Sequence, residues 1–543
     1  MRAEALTASL AELVSAGAAR RHDEVAIACG KRWLTYAELD RAVANLAEEL
    51  RERGIEPGFP VAVVAGIGLE FPVAAFAVLR LGAVVVPISP LAPAAEVTQL
   101  LKAANVEMLL SDSESEEGAW AAARAYDPHC GVITIDVTAP RSHGDVVAMR
   151  VLIGGRQPAP APRVAAGSPA VILFTSGSTG RPKGVVHSHE SLYRNCFTVA
   201  YDMVGLTRKD VMLGALPLAH SFGISAVLNA SLLAGARLEL LPRFDADEAW
   251  HVIREAGVTV LTGVPTMYRR LAEHRRASRN TDVRAAVVSG APCPPDLART
   301  VLLGLGVPLI ERYGMTEASP LTWRYVSEGD VPGDVGRPGW GVHLRATSAA
   351  GQPVAAGREG HIEVMAPSMM LRYLDPAETR EAFREGWFRT GDLGIVREDG
   401  GLTLTGREKD VILRGGYTVS AREVQLAVER HPAVAEAAVL GVPDADMGEE
   451  IVAAVIPRRG KHVTDEDLDV HAAGLLATYK RPRRWLVVDE LPRTPLGKVK
   501  RDAVLKLVLN GTAPPGEVEA PGAAAAAAAP VPETTETPAP PAE

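Results

Sequence analysis

The chain is 543 residues long, 47% hydrophobic and 23% charged, with a formal net charge of −9. That length exceeds one ordinary core and requires two or more folded units. The composition is that of a soluble globular protein, and the acidic balance argues against a general nucleic-acid binder. Cys29, Cys130, Cys196 and Cys293 lie far apart with no C-x-x-C pair, which speaks against a disulfide framework or a zinc site. Cys293, beside Pro292, reads as a bystander thiol rather than a nucleophile.

In the first 21 residues, Glu4 and Glu12 interrupt any signal-peptide core. Leu6, Leu10, Leu13 and Val14 fall at helical spacing, so this segment reads as an amphipathic helix on a cytoplasmic protein. Thr35 to Glu38 fits a capping box, Leu39, Val43, Leu46 and Leu50 form an apolar stripe, and Gly54 stops it. VAVVA at 61–65, a helical stretch to Arg80 and VVVPI at 84–88 have the rhythm of parallel α/β units. Residues 141–169, rich in Pro, Gly and Arg, read as a surface linker.

AVILF at 170–174 is a short strand running into a Gly/Ser/Thr loop. Further strands are expected at RLELL (237–241), VTVL (258–261), AAVV (285–288) and VPLI (307–310). From about 333, HIEVM (361–365) and LTLTG (402–406) with frequent Gly predict a small β-rich subdomain. A second unit begins near 410, with a helix at 421–430, strands at 434–440 and 451–456, a helix at 465–477 and a strand at 485–488. Residues 511–543 hold Pro, Ala, Glu, Thr and a run of seven alanines, a tail expected to be disordered. No run approaches about 18 apolar residues without charge, so no integral membrane association is expected. The fold class is α/β: a large N-terminal domain of α/β layers with a β-rich subdomain (1–408), then a small α+β C-terminal domain (409–510) and the tail.

The sharpest chemical signal is Thr175-Ser176-Gly177-Ser178-Thr179-Gly180-Arg181-Pro182-Lys183-Gly184. Glycines let backbone N–H groups converge on an anion, hydroxyls add donors, and Lys183 supplies positive charge for phosphate. It is not a Walker A loop, because Pro182 precedes the lysine and Gly184 follows it. A plain polar loop does not account for so dense a run. In Tyr313-Gly314-Met315-Thr316-Glu317, the ring offers a face for adenine, the glycine close approach, the threonine a phosphate donor and the glutamate a Mg²⁺ ligand. The bland reading of Glu317 is a solvated loop acid. His187 and His189 form no H-E-x-x-H site, since Ser191 and Leu192 follow Glu190, so zinc hydrolysis is unsupported.

TSGSTGRPKG resembles the phosphate loop of the adenylate-forming superfamily: acyl-CoA synthetases, peptide-synthetase adenylation domains and beetle luciferases. The resemblance runs to about residue 505, with further motifs in the family's order, and favours the acyl-CoA ligase branch. It implies that Thr175, Ser176, Gly177, Ser178, Thr179 and Gly180 bind ATP with Lys183, and that Thr175 is a second metal contact. LPLAHSFG (216–223) is similar to the acyl-pocket stretch, carried onto His220, Phe222 and Gly223, with Thr262, Gly263 and Met315 added. A lone His on an apolar segment is more often a satisfied core residue; here the ordered motif set favours function.

VSGAPCP (288–294) resembles the adenine-flanking stretch and maps to Gly290, Ala291 and Pro292, where the plain alternative is a strand-ending turn. Arg312, Tyr313, Gly314, Met315 and Thr316 join the nucleotide set. Arg389-Thr390-Gly391-Asp392 resembles the ribose motif, with Asp392 accepting the hydroxyls and Arg407 assisting. Lys409 falls where the family places its hinge between a large domain and a mobile small one. Gly415, Gly416 and Tyr417 look like the pantetheine-tunnel loop, with a plain β-turn as the alternative. PRTPLGKVKR (492–501) resembles the C-terminal motif whose lysine, here Lys498, enters the site during adenylation. Arg269, Arg270, Arg275, Arg276 and Arg279 read as a solvated helical face rather than a contact for coenzyme A phosphates. His361 and Ala366 stand where relatives often show Glu and Gly, and Ala421 where Pro is common.

The resemblance thus implies an ATP-dependent acid–thiol ligase with Lys498, Lys183, Glu317 and His220 as catalytic residues and ATP, Mg²⁺ and coenzyme A as cofactors. It adenylates a small-molecule carboxylic acid, read as hydrophobic because no pocket Asp is present to hold an amino group, then passes the acyl group to coenzyme A. Left open are an acyl carrier protein as acceptor, a relative running only the thiol half-reaction, and a homodimer. No nucleic-acid partner is expected.

Overall fold

The computed structural model describes residues 9–136, 145–155, 163–175, 182–274, 281–291, 293, 296–326, 331, 333–414, 417–444, 447–494 and 497–510. Among these the strands form four sheets. The first has nine strands, and its central run is Leu309–Tyr313, Ala285–Val288, Val260–Gly263, Val211–Gly214, Arg237–Leu240 and Val25–Cys29, all parallel. The second has eight strands; its parallel part includes Val84–Ile88, Pro60–Val64, Met108–Asp112 and Gly131–Asp136. These segments are short apolar runs because both faces of a parallel sheet are covered.

Between the sheets lies Glu70–Arg80, a helix buried at every one of its 11 positions. A helix apolar all round has no other stable place in a globular protein. Tyr36–Glu52 packs on it. That helix opens with the expected reciprocal cap: the Thr35 hydroxyl accepts the Glu38 N–H, and the Glu38 carboxylate accepts the Thr35 N–H. Leu39, Val43, Leu46 and Leu50 are all buried.

The β-rich subdomain is a third sheet, His343–Thr347, Glu359–Met365, Trp387–Val396 and Phe383–Arg384, with Leu402–Arg407 paired to Trp387–Val396. The fourth sheet belongs to the C-terminal part. In its long hairpin Val434–Asp444 and Gly448–Pro457, the free edge of Gly448–Pro457 carries Val411–Arg414, itself paired with Tyr417–Ser420, at one end and Arg484–Val487 further along. Two apolar clusters cover this sheet, one including Val424, Val428 and Leu468, the other Val504 and Val508 of the helix Arg501–Asn510. This part therefore has a core of its own.

The linker expected at 141–169 is corrected in its first half. Asp145–Ala148 is an edge strand and Met149–Gly154 a helix that buries Met149 and Leu152. The apolar run VVAMRVLI outweighs the flanking Pro, Gly and Arg. The first helix begins at Leu13 after a 3-10 turn, Leu10–Glu12. The alanine-rich tail lies outside the described residues.

Candidate active site

Three neighbouring parallel strands of the first sheet end at one edge, and each ends in a motif. Val260–Gly263 delivers Thr262 and Gly263, Ala285–Val288 delivers Gly290 and Ala291, and Leu309–Tyr313 delivers Tyr313 and the turn through Glu317. The carboxyl ends of parallel strands are where open α/β sheets bind ligands. Gly290 has φ +88°, a conformation that costs other residues strain. Pro292 lies outside the described residues.

Tyr313 and Asp392 meet across the two subdomains. The phenol donates to Asp392 Oδ2 at 2.5 Å, and Arg407 Nε lies 2.9 Å from Oδ1. Asp392 and Arg407 are register partners on adjacent antiparallel strands, which is why the pair faces one way. Asp392 is buried. Burial and the Asp392 charge push the Tyr313 phenol far up, so it stays a donor.

The second sheet contributes the hairpin Pro169–Thr175 and Lys183–Ser188, in which Thr175 pairs with Lys183. Ser176, Gly177, Ser178, Thr179 and Gly180 lie outside the described residues. Lys183 Nζ stands 3.3 Å from Glu378 Oε1 and 5.2 Å from the centre of the Tyr373 ring. The Tyr373 hydroxyl donates to Glu317 Oε1 at 2.7 Å, and the Met370 N–H donates to the Glu317 carbonyl at 2.7 Å. Tyr373 thus joins the phosphate lysine to the acid of the second motif. Sequence reasoning missed Tyr373 and Glu378: no local motif marks them, and Tyr373 is placed by the pairing of Arg372–Tyr373 with Val186 and Val185.

His187, set aside as a zinc ligand, has a positioning role: its Nε2–H donates to the Thr316 carbonyl at 2.7 Å. Burial pulls its pKa down to about 4, so it is neutral at ordinary pH. Among the described residues no three or more His, Cys, Asp or Glu converge as a metal cluster. One oriented carboxylate is nevertheless enough for Mg²⁺, which takes its other ligands from phosphate and water. Glu317, held by Tyr373, fits that need.

On the acyl side, the His220 Nδ1 accepts the Phe222 N–H at 3.3 Å. Phe222–Asn229 then winds as a π-helix, a form common at functional sites. Gly223 is required there, since a Cβ would lie 2.1 Å from the Pro217 carbonyl oxygen. Burial, then the charges of Arg312 and Lys498, pull the His220 pKa down to about 4. Lys498 therefore stands within electrostatic reach of His220, although 278 residues separate them in the chain.

The lysine is carried by a tight turn. The Thr494 N–H donates to the Lys498 carbonyl at 2.7 Å, and Arg493 Nη1 donates to the Gly497 carbonyl at 2.8 Å. Gly497 has φ +75°, and a Cβ on it would come 3.4 Å from Thr266 Oγ1 and 3.7 Å from Val264. The turn thus rests on the start of the helix Pro265–Ala272, beside Gly263. Arg458 reaches Asp296 at 3.8 Å across the same seam.

Other expected residues fall elsewhere. Gly415 and Gly416 lie outside the described residues, as does the Lys409 side chain, whose backbone sits in the turn Glu408–Asp410. Tyr417 is exposed and stacks on Tyr479 at 4.4 Å. Arg269 is tied to Asp296 at 3.2 Å, Arg270 is exposed, and Arg275, Arg276 and Arg279 lie outside the described residues. Cys293 is no nucleophile: burial and Glu311 push its thiol up. Arg312, grouped with the nucleotide residues in sequence, packs its guanidinium on the Phe222 ring at 4.5 Å, on the acyl side.

The strand ends of the first sheet, the Thr175–Lys183 hairpin of the second and the Asp392–Arg407 pair of the third thus carry the motif residues, and the Lys498 turn of the C-terminal part rests beside Gly263, an arrangement suited to nucleotide-dependent acid activation. Residues 14–374 match the model of the family described as AMP-binding enzyme, and residues 423–498 that of the AMP-binding enzyme C-terminal domain. The chain is 33% identical over 488 residues to a feruloyl-CoA synthase of Amycolatopsis sp., covering 88% of this chain and 95% of that one. It is 32% identical over 517 residues to an indoleacetate–CoA ligase of Aromatoleum aromaticum, covering 93% and 99%. The ATP-bound MatB structure from Rhodopseudomonas palustris superposes with a TM-score of 0.83 at 32% identity, covering 91% and 98%. The chain belongs to the AMP-binding enzyme family, in its acyl-CoA ligase branch. It is an AMP-forming acyl-CoA synthetase that uses ATP, Mg²⁺ and coenzyme A.

Proposed function

We propose that Lys498 supplies the catalytic cation of the first half-reaction and withdraws for the second. The observation that carries this reading is the seating of the Lys498 turn beside Val264 and Thr266, with its charge felt at His220. A carboxylate is already ionised at neutral pH, so no base is needed for its attack on the α-phosphate. The work is positioning and charge stabilisation. Lys183 and the 176–181 loop hold the phosphates, Asp392 and Arg407 the ribose, and Tyr313 the adenine. Glu317, with Thr175, holds Mg²⁺, which when bound offsets phosphate charge. His220, kept neutral by burial, orients the acid by hydrogen bonding rather than by charge.

For the second half-reaction, residues 409–510 turn about Lys409 as a unit, taking Lys498 out and bringing the 415–417 loop in for the thiol. Coenzyme A is the acceptor, and a carrier-protein arm presents the same thiol chemistry. We place the protein in the cytoplasm, where ATP and coenzyme A meet. The test separates the half-reactions in Lys498→Ala. ATP–pyrophosphate exchange should fall about 10²- to 10³-fold, while thioester formation from a supplied acyl-adenylate stays within a few-fold of wild type. Exchange at the wild-type rate would remove Lys498 from this role.

A further inference from the structure

Arg312 and Tyr313 are neighbours on the strand Leu309–Tyr313, and successive residues of a strand face opposite sides. Tyr313 points to the ribose residues, where its hydroxyl meets Asp392. Arg312 turns the other way. Its guanidinium lies on Phe222, its charge is felt by His220, and Nη2 donates to Ser319 Oγ at 2.5 Å. The residue is only 5% exposed, and its Nε and Nη1 are buried without a hydrogen-bond partner. Burial draws its pKa down to about 10, which still leaves it charged at neutral pH.

A buried guanidinium with two donors unmet is strongly disfavoured unless an acceptor arrives. Among the described residues the other buried arginines each face a carboxylate, even where, as for Arg194 with Glu190 at 3.4 Å, one nitrogen stays unmet. Arg414 is met by Glu450 at 2.5 Å, Arg324 by Glu311 at 2.9 Å and Arg80 by Asp40 at 3.1 Å. Among the described residues no carboxylate stands against Arg312 in this way.

We propose that Arg312 is a specificity-determining residue that receives a second anionic group on the acid being activated, so that the substrate is a dicarboxylate rather than an apolar acid. The inference rests on the proposed role of Lys498 and His220 at the reacting carboxylate. Lys498 and Arg312 both bear on the one imidazole of His220, so both cations serve the acid-binding region that His220 marks. An apolar acid of the same size would leave the cation unmet, and a site built for a hydrogen-bonding group rejects the analogue that lacks it.

The experiment is ATP–pyrophosphate exchange on the full-length enzyme with malonate and succinate against propanoate and butanoate, in wild type, Arg312→Gln and Arg312→Lys. Wild type should favour the diacid of a pair by about 100-fold in kcat/KM, the worth of a charged hydrogen bond or two. Arg312→Gln should collapse that ratio, mainly through KM for the diacid, and Arg312→Lys should restore part of it. A wild-type preference for the monoacid, or an Arg312→Gln variant that lowers both acids alike, would overturn the proposal. Exchange with longer monocarboxylic acids alone would also overturn it, and would leave the Lys498 assignment standing, since that is read from the two half-reactions separately.

Discussion

Asp392 holds the phenol of Tyr313 at 2.5 Å on one carboxylate oxygen and Arg407 at 2.9 Å on the other. Both oxygens are thus oriented before a ribose arrives. Asp392→Asn keeps the shape but loses the charge and one acceptor. KM for ATP should rise about 10- to 100-fold, with coenzyme A transfer from a supplied adenylate far less affected. Initial rates against ATP concentration check this.

Tyr373 meets Glu317, the carboxylate proposed above to hold Mg²⁺. Removing its hydroxyl in Tyr373→Phe frees the Glu317 carboxylate, which it now meets at 2.7 Å. Partners that orient a ligand are worth about 10- to 100-fold in metal affinity. The Mg²⁺ concentration for half-maximal adenylation should rise within that range, and saturating Mg²⁺ should recover most of the rate. Failure of high Mg²⁺ to recover it would assign Tyr373 to Lys183 instead.

Gly223→Ala places a methyl 2.1 Å from the Pro217 carbonyl oxygen, a backbone atom that cannot swing aside. The cost should be about 1–3 kcal/mol, with acid activation impaired as His220 is displaced. Gly118→Ala is the control: it lies within the helix Glu116–Tyr126, and its Cβ would meet nothing within 4 Å. That change should stabilise by about 0.5–1 kcal/mol. Urea unfolding of the two variants gives the comparison.

His187 and His189 are both buried, and burial lowers the pKa of each to about 4. In the unfolded chain each takes a proton near pH 6.5. The unfolded state therefore binds more protons between about pH 6.5 and 4, so stability is whole above that window and is lost as pH falls through it. His220, likewise lowered to about 4, adds a third such group, and the three give a slope of up to about 4 kcal/mol per pH unit. Unfolding midpoints at pH 5 and pH 7 should differ accordingly, and His189→Asn should flatten the difference by about a third.

Much of the architecture was legible because burial of parallel strands demands unbroken apolar runs. VVVPI at 84–88 and AAVV at 285–288 are strands at those positions. Lys183–Ser188 was not legible as a strand. KGVVHS is short and half polar, and it owes its shape to pairing with Pro169–Thr175. Glu317, Asp392, His220 and Lys498 could be proposed from sequence because they sit in recognisable local motifs. Tyr373 was hidden because its value lies in a register 56 residues away from Glu317. Arg312 was grouped with Tyr313 because they adjoin in sequence, whereas one step along a strand turns a side chain to the other face.

Lys498 and Tyr417 are borne by one body. The helix Arg501–Asn510 beside Lys498 buries Val504 and Val508 against the hairpin whose strand Gly448–Pro457 neighbours Val411–Arg414, the pairing partner of Tyr417–Ser420. While the lysine turn rests on Val264 and Thr266, Tyr417 stays outside, stacked on Tyr479. On the proposed cycle the seam under Gly497 must part before the thiol step, so whatever holds it shut would stall the enzyme with the acyl-adenylate formed.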